Sequence, residues 1–220
     1  YGDVVQDAVN WLAWAQTDMG YGRGGWNYEP MDNAGDRSDN SNSGWVTLGL
    51  AYAESPAYKF ECTIPAFVRS ELDIWIDYIQ NDVDGDEYDG GSVYSWVCGN
   101  FDDDADGNVD EDPWDGVDND EDGFVDEDPG AEADWVNILK TGNLIQQMAF
   151  YGDPVGADRV QDAIDYIVRH WDDKNVDPGW WNGDLNATAS YHATFTVMKG
   201  LESFGIEEIG GIDWFDKISD

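Results

Sequence analysis

The sequence predicts a mainly α protein in which three pairs of helices are interrupted by a loop-rich acidic insertion. Three segments carry apolar residues at helical spacing with acids on the opposite face, and three further segments are apolar on most sides. One long stretch between the second pair's two helices concentrates Asp and Glu residues. With 220 residues, the chain is long enough to form one domain with a substantial buried core.

The three amphipathic segments are predicted to be outer helices that bury one face. Their apolar residues follow the offsets 0, 4, 7 and 8, and in the second and third segments also 11, which traces one stripe of an α-helix. Val-Gln-Asp-Ala-Val at residues 5–9 returns as Val-Gln-Asp-Ala-Ile at 160–164, which indicates an internal repeat. The stripes consist of Val5, Val9, Leu12 and Ala13, of Val68, Leu72, Trp75, Ile76 and Ile79, and of Val160, Ile164, Ile167, Val168 and Trp171.

Each amphipathic segment is followed by a glycine-aromatic turn and then by a second kind of helix. The turns lie at residues 24–28, 90–94 and 178–181, and the second helices are predicted at 43–53, 141–150 and 191–204. These second helices carry almost no charge and are apolar nearly all round, so they are predicted to be buried inner helices. The segment at 212–218 is predicted to begin a fourth outer helix that the chain does not complete.

The order of these elements resembles a known repeat. An amphipathic helix, a Gly-Gly-Trp-Asn-Tyr turn at 24–28, a polar stretch at 36–43 and a helix led by Gly44 and Trp45 are similar to the repeat of prenyltransferases and squalene cyclases. The resemblance is good over 1–54, moderate over 156–205 and limited to the outline in the middle pair. It implies a partial α/α toroid of three α/α hairpins. That toroid serves cyclases, lipid transferases, lyases and non-catalytic domains, so the resemblance implies a fold rather than one chemistry.

The acidic insertion contains two Asp-rich loops in register, at 102–113 and 118–129. Each has Asp at loop positions 1, 3, 5 and 9, Gly at 6, Val at 8 and Pro at 12. Alternate carboxylates on a tightly turning loop point at one centre, and calcium takes about six to eight oxygen ligands. The predicted calcium ligands are Asp102, Asp104, Asp106, Asn108 and Asp110 in the first loop and Asp118, Asp120, Asp122 and Asp126 in the second.

The loops differ from an EF-hand because an acid and a Pro replace its terminal Glu, and they look like thrombospondin type 3 or dockerin calcium loops. A run with a displaced Gly adds three candidate ligands, Asp82, Asp84 and Asp86. The polar stretch with Asp36, Asp39, Asn40 and Asn42 permits either a further calcium site or a turn with a helix N-cap. Without metal the carboxylates repel one another, so we expect Ca²⁺ to act as a folding cofactor of the insertion.

These elements divide the chain into one domain with an insert. Residues 1–80 hold the first hairpin and the second outer helix, and 81–133 form the acidic insertion. Residues 134–220 hold the second inner helix, the third hairpin and the start of the C-terminal helix.

The charge balance narrows the classes of partner. Forty-eight Asp and Glu residues against ten Lys and Arg residues give a formal net charge of -38, which excludes a nucleic-acid partner because phosphate contact needs clustered bases. No apolar run reaches the length of a membrane span, so membrane insertion is not expected. The partners that remain are cations, other copies of the chain, and glycans bound through exposed Trp residues.

Two further features suggest an extracellular or cell-surface location for a secreted protein. Cys62 and Cys98 are expected to form a disulfide, with two buried thiols as the alternative. Asn186 begins an Asn-Ala-Thr triplet, which permits N-glycosylation in a secreted chain.

No catalytic set emerges from the sequence, and we lean against an enzyme. The cysteines and histidines match no zinc spacing, and Tyr191 with His192 is a thin basis for a lyase. The leading hypothesis is a secreted calcium-binding structural protein, a self-assembling filament or cell-surface subunit, because an incomplete ring has two open ends. The alternative is a terpenoid-cyclase-like or polysaccharide-lyase-like enzyme, or a fragment of one, which predicts an aromatic-lined pocket between the inner helices.

Overall fold

The computed structural model describes residues 2–20, 22–28, 38–81, 87–95, 136–173, 179–180 and 190–219. These residues form a mainly α protein, as predicted. The elements in chain order are α1 (Gly2–Trp14), α2 (Asn40–Glu54), α3 (Ala66–Ile79), α4 (Ile138–Tyr151), α5 (Asp158–Arg169), α6 (Tyr191–Phe204), β1 (Glu208–Ile209), β2 (Ile212–Asp213) and α7 (Trp214–Ser219). Within these ranges, every helix is too short or too polar to cross a lipid bilayer.

The amphipathic helices α1, α3 and α5 bury the stripes that their periodicity predicts. On α3 the whole predicted stripe is buried, and Trp75 has no exposed surface. On α5 the stripe is buried at Val160, Ile164 and Ile167. Only Val9 and Ala13 are fully buried on α1, which packs more loosely than its two counterparts.

The helices α2, α4 and α6 begin with side-chain caps. The side chains of Asp39, Asn137 and Ser190 accept a hydrogen bond from the backbone N–H three residues further on. Because these caps satisfy the free donors of the first turn, α2 and α4 begin three residues earlier than the apolar pattern predicts. The bounds of α6 are the predicted ones.

The helix α4 is the centre of the fold. Eleven of its 14 residues are buried, and it packs against α2, α3, α5 and α6. A hydrogen bond joins Asn40 near the start of α2 to the Lys140 carbonyl near the start of α4, and Arg69 contacts the ends of both helices through Glu54 and Phe150. α2 and α4 are therefore parallel, and α6 packs parallel to α4 on its other side.

The prediction of helices buried all round is right for α4 and wrong for α2 and α6. Trp45 and Tyr52 on α2 are 52% and 37% exposed, and Phe195 on α6 is partly exposed. The reason is position in the fold, since α4 packs against four helices whereas α2 and α6 lie on either side of it. Because α2 and α6 are two of the predicted inner helices, we call their exposed side the inner face.

The first two glycine-aromatic turns place their backbone directly against the outer helix that follows. A Cβ on Gly24 would collide with the Glu71 carbonyl on α3, and one on Gly90 would collide with the Asp162 carbonyl on α5. Both glycines have positive φ, 88° and 77°, which a residue with a side chain rarely adopts. These turns are therefore the points at which consecutive helix pairs are joined.

The C-terminal segment differs from its prediction. Residues 212–213 form strand β2, which pairs antiparallel with β1, and the helix begins only at Trp214. Gly210 and Gly211 both have positive φ, at 54° and 81°, and such a pair favours a two-residue hairpin turn over continued helix.

Candidate functional site

Most of the sequence-predicted site residues lie outside the described ranges. These are the candidate calcium ligands Asp82, Asp84, Asp86, Asp102, Asp104, Asp106, Asn108, Asp110, Asp118, Asp120, Asp122 and Asp126, together with Cys98 and Asn186. In the part of the chain that is described, three or more His, Cys, Asp or Glu side chains nowhere gather as a metal site would require. The calcium loops and the glycan therefore stay predictions.

The thiol of Cys62 is buried, with 8% of the residue exposed, and its Sγ lies 3.9 Å from the Phe60 carbonyl oxygen. Its pairing with Cys98 stays a prediction, because that residue lies outside the described ranges.

Backbone hydrogen bonds join the residues that flank the run at 82–86. The Asn81 N–H donates to the Gly91 carbonyl and the Gly90 N–H donates to the Asn81 carbonyl, both at 2.8 Å. His170 Nε2 donates to the Glu87 carbonyl at 2.8 Å, and Arg169 donates to the Asp89 carbonyl. The end of α5 therefore contacts the backbone at Glu87 and Asp89, and His170 is the C-cap of that helix.

The main acidic segment, 96–135, leaves and re-enters the fold beside the N-terminal ends of α2 and α4. The Asn40 N–H donates to the Tyr94 carbonyl at 2.8 Å, and Val136, where the chain returns, is fully buried. Helix N-termini carry partial positive charge, so this end of the inner helices is the electrostatically favourable place for a strongly acidic segment.

The polar stretch before α2 acts as a helix cap at its described residues. The Asp39 carboxylate accepts hydrogen bonds of 2.7 Å from the Ser41 hydroxyl and from the backbone and side-chain nitrogens of Asn42. Asn40 points into the core instead, where its Nδ2 lies 2.7 Å from Ser92 Oγ and its Oδ1 accepts from Gln147. The N-cap interpretation is therefore confirmed for Asp39, and Asn40 is occupied by core hydrogen bonds.

A pocket of about 550 Å³ lies on the inner face, at the C-terminal ends of α2, α4 and α6. Gln146 and Ala149 of α4 lie between walls formed by α2 and α6. The other residues that line it are Leu48, Ala51, Tyr52, Glu54, Ser55, Ala57, Tyr58, Arg69, Phe150, Gly152, Lys199, Glu202 and Ser203. We call this cavity the inner-face pocket.

Tyr52 and Tyr58 line the inner-face pocket, and a second aromatic pair, Trp45 with Phe195, lies on the same face nearer the N-terminal ends of α2 and α6. Trp45 of α2 and Phe195 of α6 stack with ring centroids 5.3 Å apart and planes 24° from parallel. The ring centroids of Tyr52 and Tyr58 lie 5.0 Å apart, and Tyr58 is 52% exposed. The inner face is thus open and aromatic rather than packed solid.

Two ion pairs supply the charges of the pocket. Arg69 pairs with Glu54, donates through Nε to the Phe150 carbonyl at 2.9 Å and lies 4.4 Å above the Phe150 ring. Lys199 Nζ lies 2.7 Å from Glu202, and this hydrogen bond raises the pKa of Lys199 above its ordinary value. Each cation is matched by one carboxylate, so the pocket is locally neutral in a strongly acidic chain.

The sequence contained a signal for this pocket that the periodicity did not reveal. Trp45 and Tyr52 are seven residues apart on one helix and therefore share a face. Arg69 and Lys199 are two of only ten bases in the chain. Tyr191 and His192, considered above for a lyase, lie in the first turn of α6, at the opposite end of that helix from the pocket.

Comparison with known proteins found no matching family model, no matching curated protein and no matching solved structure. Function is therefore inferred from the residues and geometry of this chain.

Proposed function

We propose that the protein is a secreted, calcium-binding structural protein whose subunits self-assemble into a filament or a cell-surface layer. In this proposal the helices form a partial α/α toroid of three hairpins, and calcium orders the acidic insertion. Neighbouring subunits complete the ring or continue it.

Exposed apolar side chains on the terminal helix α1 are the observation that carries this proposal. Val4, Trp11 and Trp14 are 70%, 52% and 53% exposed, and their spacing places them on one side of the helix. The opposite side of α1 carries Val9 and Ala13, which are buried against the fold. A helix that is apolar on two sides at the end of a helical array is typical of a surface that a second molecule covers.

The other end of the array also exposes aromatic surface. Phe215 on the short helix α7 is 59% exposed, and Tyr191 at the start of α6 is 84% exposed. Contact between α1 of one copy and the α6–α7 end of the next would be heterologous, and repetition of such a contact gives closed rings or open filaments.

The calcium component is supported by the register of the two Asp-rich loops and by where their segment joins the fold. The chain carries a net charge of -38, and repulsion between carboxylates opposes a compact insertion. Divalent cations stabilise the compact form because they neutralise these carboxylates. The hydrogen bonds from α5 to Glu87 and Asp89 connect the third acidic run to the helical core. Calcium binding would therefore stiffen the helical array as well as the insertion.

The enzymatic alternative, of terpenoid-cyclase or polysaccharide-lyase type, would use the inner-face pocket. Both carboxylates that line it are paired with cations, Glu54 with Arg69 and Glu202 with Lys199. An acid catalyst must lie within hydrogen-bond reach of the group that it protonates, and both of these carboxylates instead face a cation. Binding is the role that this arrangement supports better.

Analytical ultracentrifugation and negative-stain microscopy, in calcium and in EGTA, test the proposal. We expect large regular assemblies in calcium that dissociate in EGTA. The double variant Trp11→Ser/Trp14→Ser is expected to fold and to remain monomeric in calcium. Phe67→Ser is the matched control, because Phe67 is 50% exposed on α3, away from the ends of the array. A wild-type protein that is monodisperse and monomeric in both conditions would contradict self-assembly.

A further inference from the structure

The inner-face pocket holds a combination of groups that neither the fold nor self-assembly requires. Tyr52 and Tyr58 line it and are 37% and 52% exposed, and Trp45, seven residues before Tyr52 on the same face of α2, is 52% exposed. Each ring is held in place by an aromatic neighbour, as Trp45 is by Phe195. Aromatic side chains with fixed orientation and free faces are stacking surfaces for a ligand.

Lys199 contacts an aromatic ring on each wall of the pocket. Its Nζ lies 6.0 Å from the Tyr52 ring centroid on α2 and 5.9 Å from the Phe195 ring centroid on its own helix. Glu202 holds the ammonium group at 2.7 Å. The positions of both walls are thus set before a ligand arrives, which reduces the conformational entropy lost on binding.

The charges of the pocket indicate a neutral ligand. Arg69 and Glu54 form one pair and Lys199 and Glu202 the other, so fixed charges of both signs balance. The surrounding chain carries a net charge of -38 and repels anions such as uronates and phosphates over the range of its field. A cation would find many unpaired carboxylates elsewhere in so acidic a chain and has no reason to select this pocket.

The hydrogen-bonding groups indicate a ligand rich in hydroxyls. Glu54 and Glu202 are acceptors and Arg69 and Lys199 are donors, whereas the buried Gln146 amide is already bonded to Gly44, Thr47 and Leu48 of α2. A sugar ring combines one apolar C–H face, which stacks on an aromatic ring, with edge hydroxyls that both donate and accept. A purely apolar ligand would leave these charged groups desolvated without partners, which costs free energy.

We propose that the inner-face pocket binds a neutral oligosaccharide, with sugar rings stacked on Trp45, Tyr52 and Tyr58. Hydroxyls at the ring edges bond to the two ion pairs. This proposal does not depend on self-assembly or on calcium, because every residue in it lies on described helices or their connections.

Titration calorimetry with neutral gluco-, manno- and xylo-oligosaccharides tests the proposal, in calcium and at two salt concentrations. We expect saturable binding of at least one of them, little changed by salt because the ligand is neutral. Tyr52→Ala and Trp45→Ala are each expected to weaken binding by about tenfold or more, since each removes a stacking surface. Trp14→Ala is the matched control, because Trp14 is similarly exposed on α1, outside the pocket, and it should leave affinity unchanged.

Circular dichroism shows whether each variant is folded, so that a loss of binding can be assigned to the site rather than to unfolding. Binding that survives both Tyr52→Ala and Trp45→Ala in folded protein would overturn the proposal. So would preference for an oligouronate with strong salt dependence, for an apolar dye, or for a peptide over every neutral sugar. Sugar binding by a wild-type protein that stays monomeric in calcium would show that the structural function fails while this site stands, and assembly without sugar binding would show the reverse.

Discussion

Gly142 on α4 and Gly200 on α6 face each other where the backbones of these two helices pack closely. A Cβ on Gly200 would lie 2.8 Å from the Gly142 carbonyl oxygen, and one on Gly142 would lie 2.5 Å from the Val197 backbone nitrogen. Real Cβ atoms do not approach backbone this closely, so both glycines are required for α4 and α6 to pack as they do. This contact sets the distance between the centre of the fold and one wall of the inner-face pocket.

Gly142→Ala is expected to destabilise the protein by about 2 kcal/mol, because the added methyl group forces two helix backbones apart. Denaturant unfolding in calcium-containing buffer measures this. Gly49→Ala on α2 is the matched control, because nothing lies within 4 Å of a Cβ at that position. There the better helix propensity of Ala should raise the free energy of unfolding by about 1 kcal/mol. Equal effects of the two substitutions would contradict the role of the contact.

Arg159→Met is expected to lower the free energy of unfolding by about 3 kcal/mol. The guanidinium nitrogens of Arg159 on α5 lie 2.8 Å and 2.5 Å from carboxylate oxygens of Asp73 and Asp77 on α3. A third carboxylate oxygen, of Asp153, lies 2.8 Å away. Without the guanidinium group these three carboxylates repel one another. Added salt should recover part of the loss, because it screens that repulsion.

The control for Arg159→Met is Arg23→Met, which breaks a single ion pair in which the Arg23 side chain is 48% exposed. Urea unfolding of both variants at low and high salt should show the larger and more salt-sensitive loss for Arg159. Equal losses would contradict a special role for the three-carboxylate arrangement.

Acidification should remove a contribution of Glu71 to stability. The hydrogen bond from Arg23 lowers the pKa of Glu71 in the folded state. A lowered folded-state pKa stabilises the fold above the unfolded pKa of about 4.3, and this stabilisation is lost as pH falls through the folded value. The melting temperatures of wild type and Glu71→Gln should therefore differ at neutral pH and converge in acid.

Glu207→Gln is the control for the acid series, since Glu207 is an exposed glutamate between α6 and β1. Its melting temperature, measured beside wild type at each pH, gives the baseline for the loss of one exposed carboxylate. A difference in melting temperature between wild type and Glu71→Gln that persists unchanged in acid would contradict this linkage. Any effect of acid on calcium binding is common to wild type and variant and does not alter the comparison.

Removal of calcium should lower the melting temperature, and each Asp-rich loop should bind its own ion. Calorimetric titration of EGTA-stripped protein is expected to show heat of calcium uptake. Asp104→Ala and Asp120→Ala should each reduce the stoichiometry by about one ion, because each removes a carboxylate from a different loop. Asp3→Ala on α1 is the control and should change nothing. Absence of calcium heat, with a melting temperature indifferent to EGTA, would contradict the calcium loops.

Much of the helical pattern was predictable from sequence, because the spacing of apolar residues is a local property. The stripe from Val68 to Ile79 defines the buried face of α3 without knowledge of its neighbours. The limits of α2 and α4 were less predictable, since the capping carboxamide and carboxylate of Asn137 and Asp39 lie outside the apolar pattern. The hairpin at Gly210 and Gly211 was missed because the apolar residues around it also suit a helix.

The candidate pocket required the tertiary structure. Arg69 and Lys199 are 130 positions apart in the chain, and only the packing of α3 and α6 against α4 brings them to one cavity. The exposure of Trp45 and Tyr52 likewise depends on α2 lying beside α4 rather than at the centre. By itself the sequence determined which segments are helical, which faces are apolar and where carboxylates concentrate, since these follow from neighbours along the chain. Which faces meet, which aromatic rings stay exposed and which charges pair were decided by the packing of helices distant in sequence.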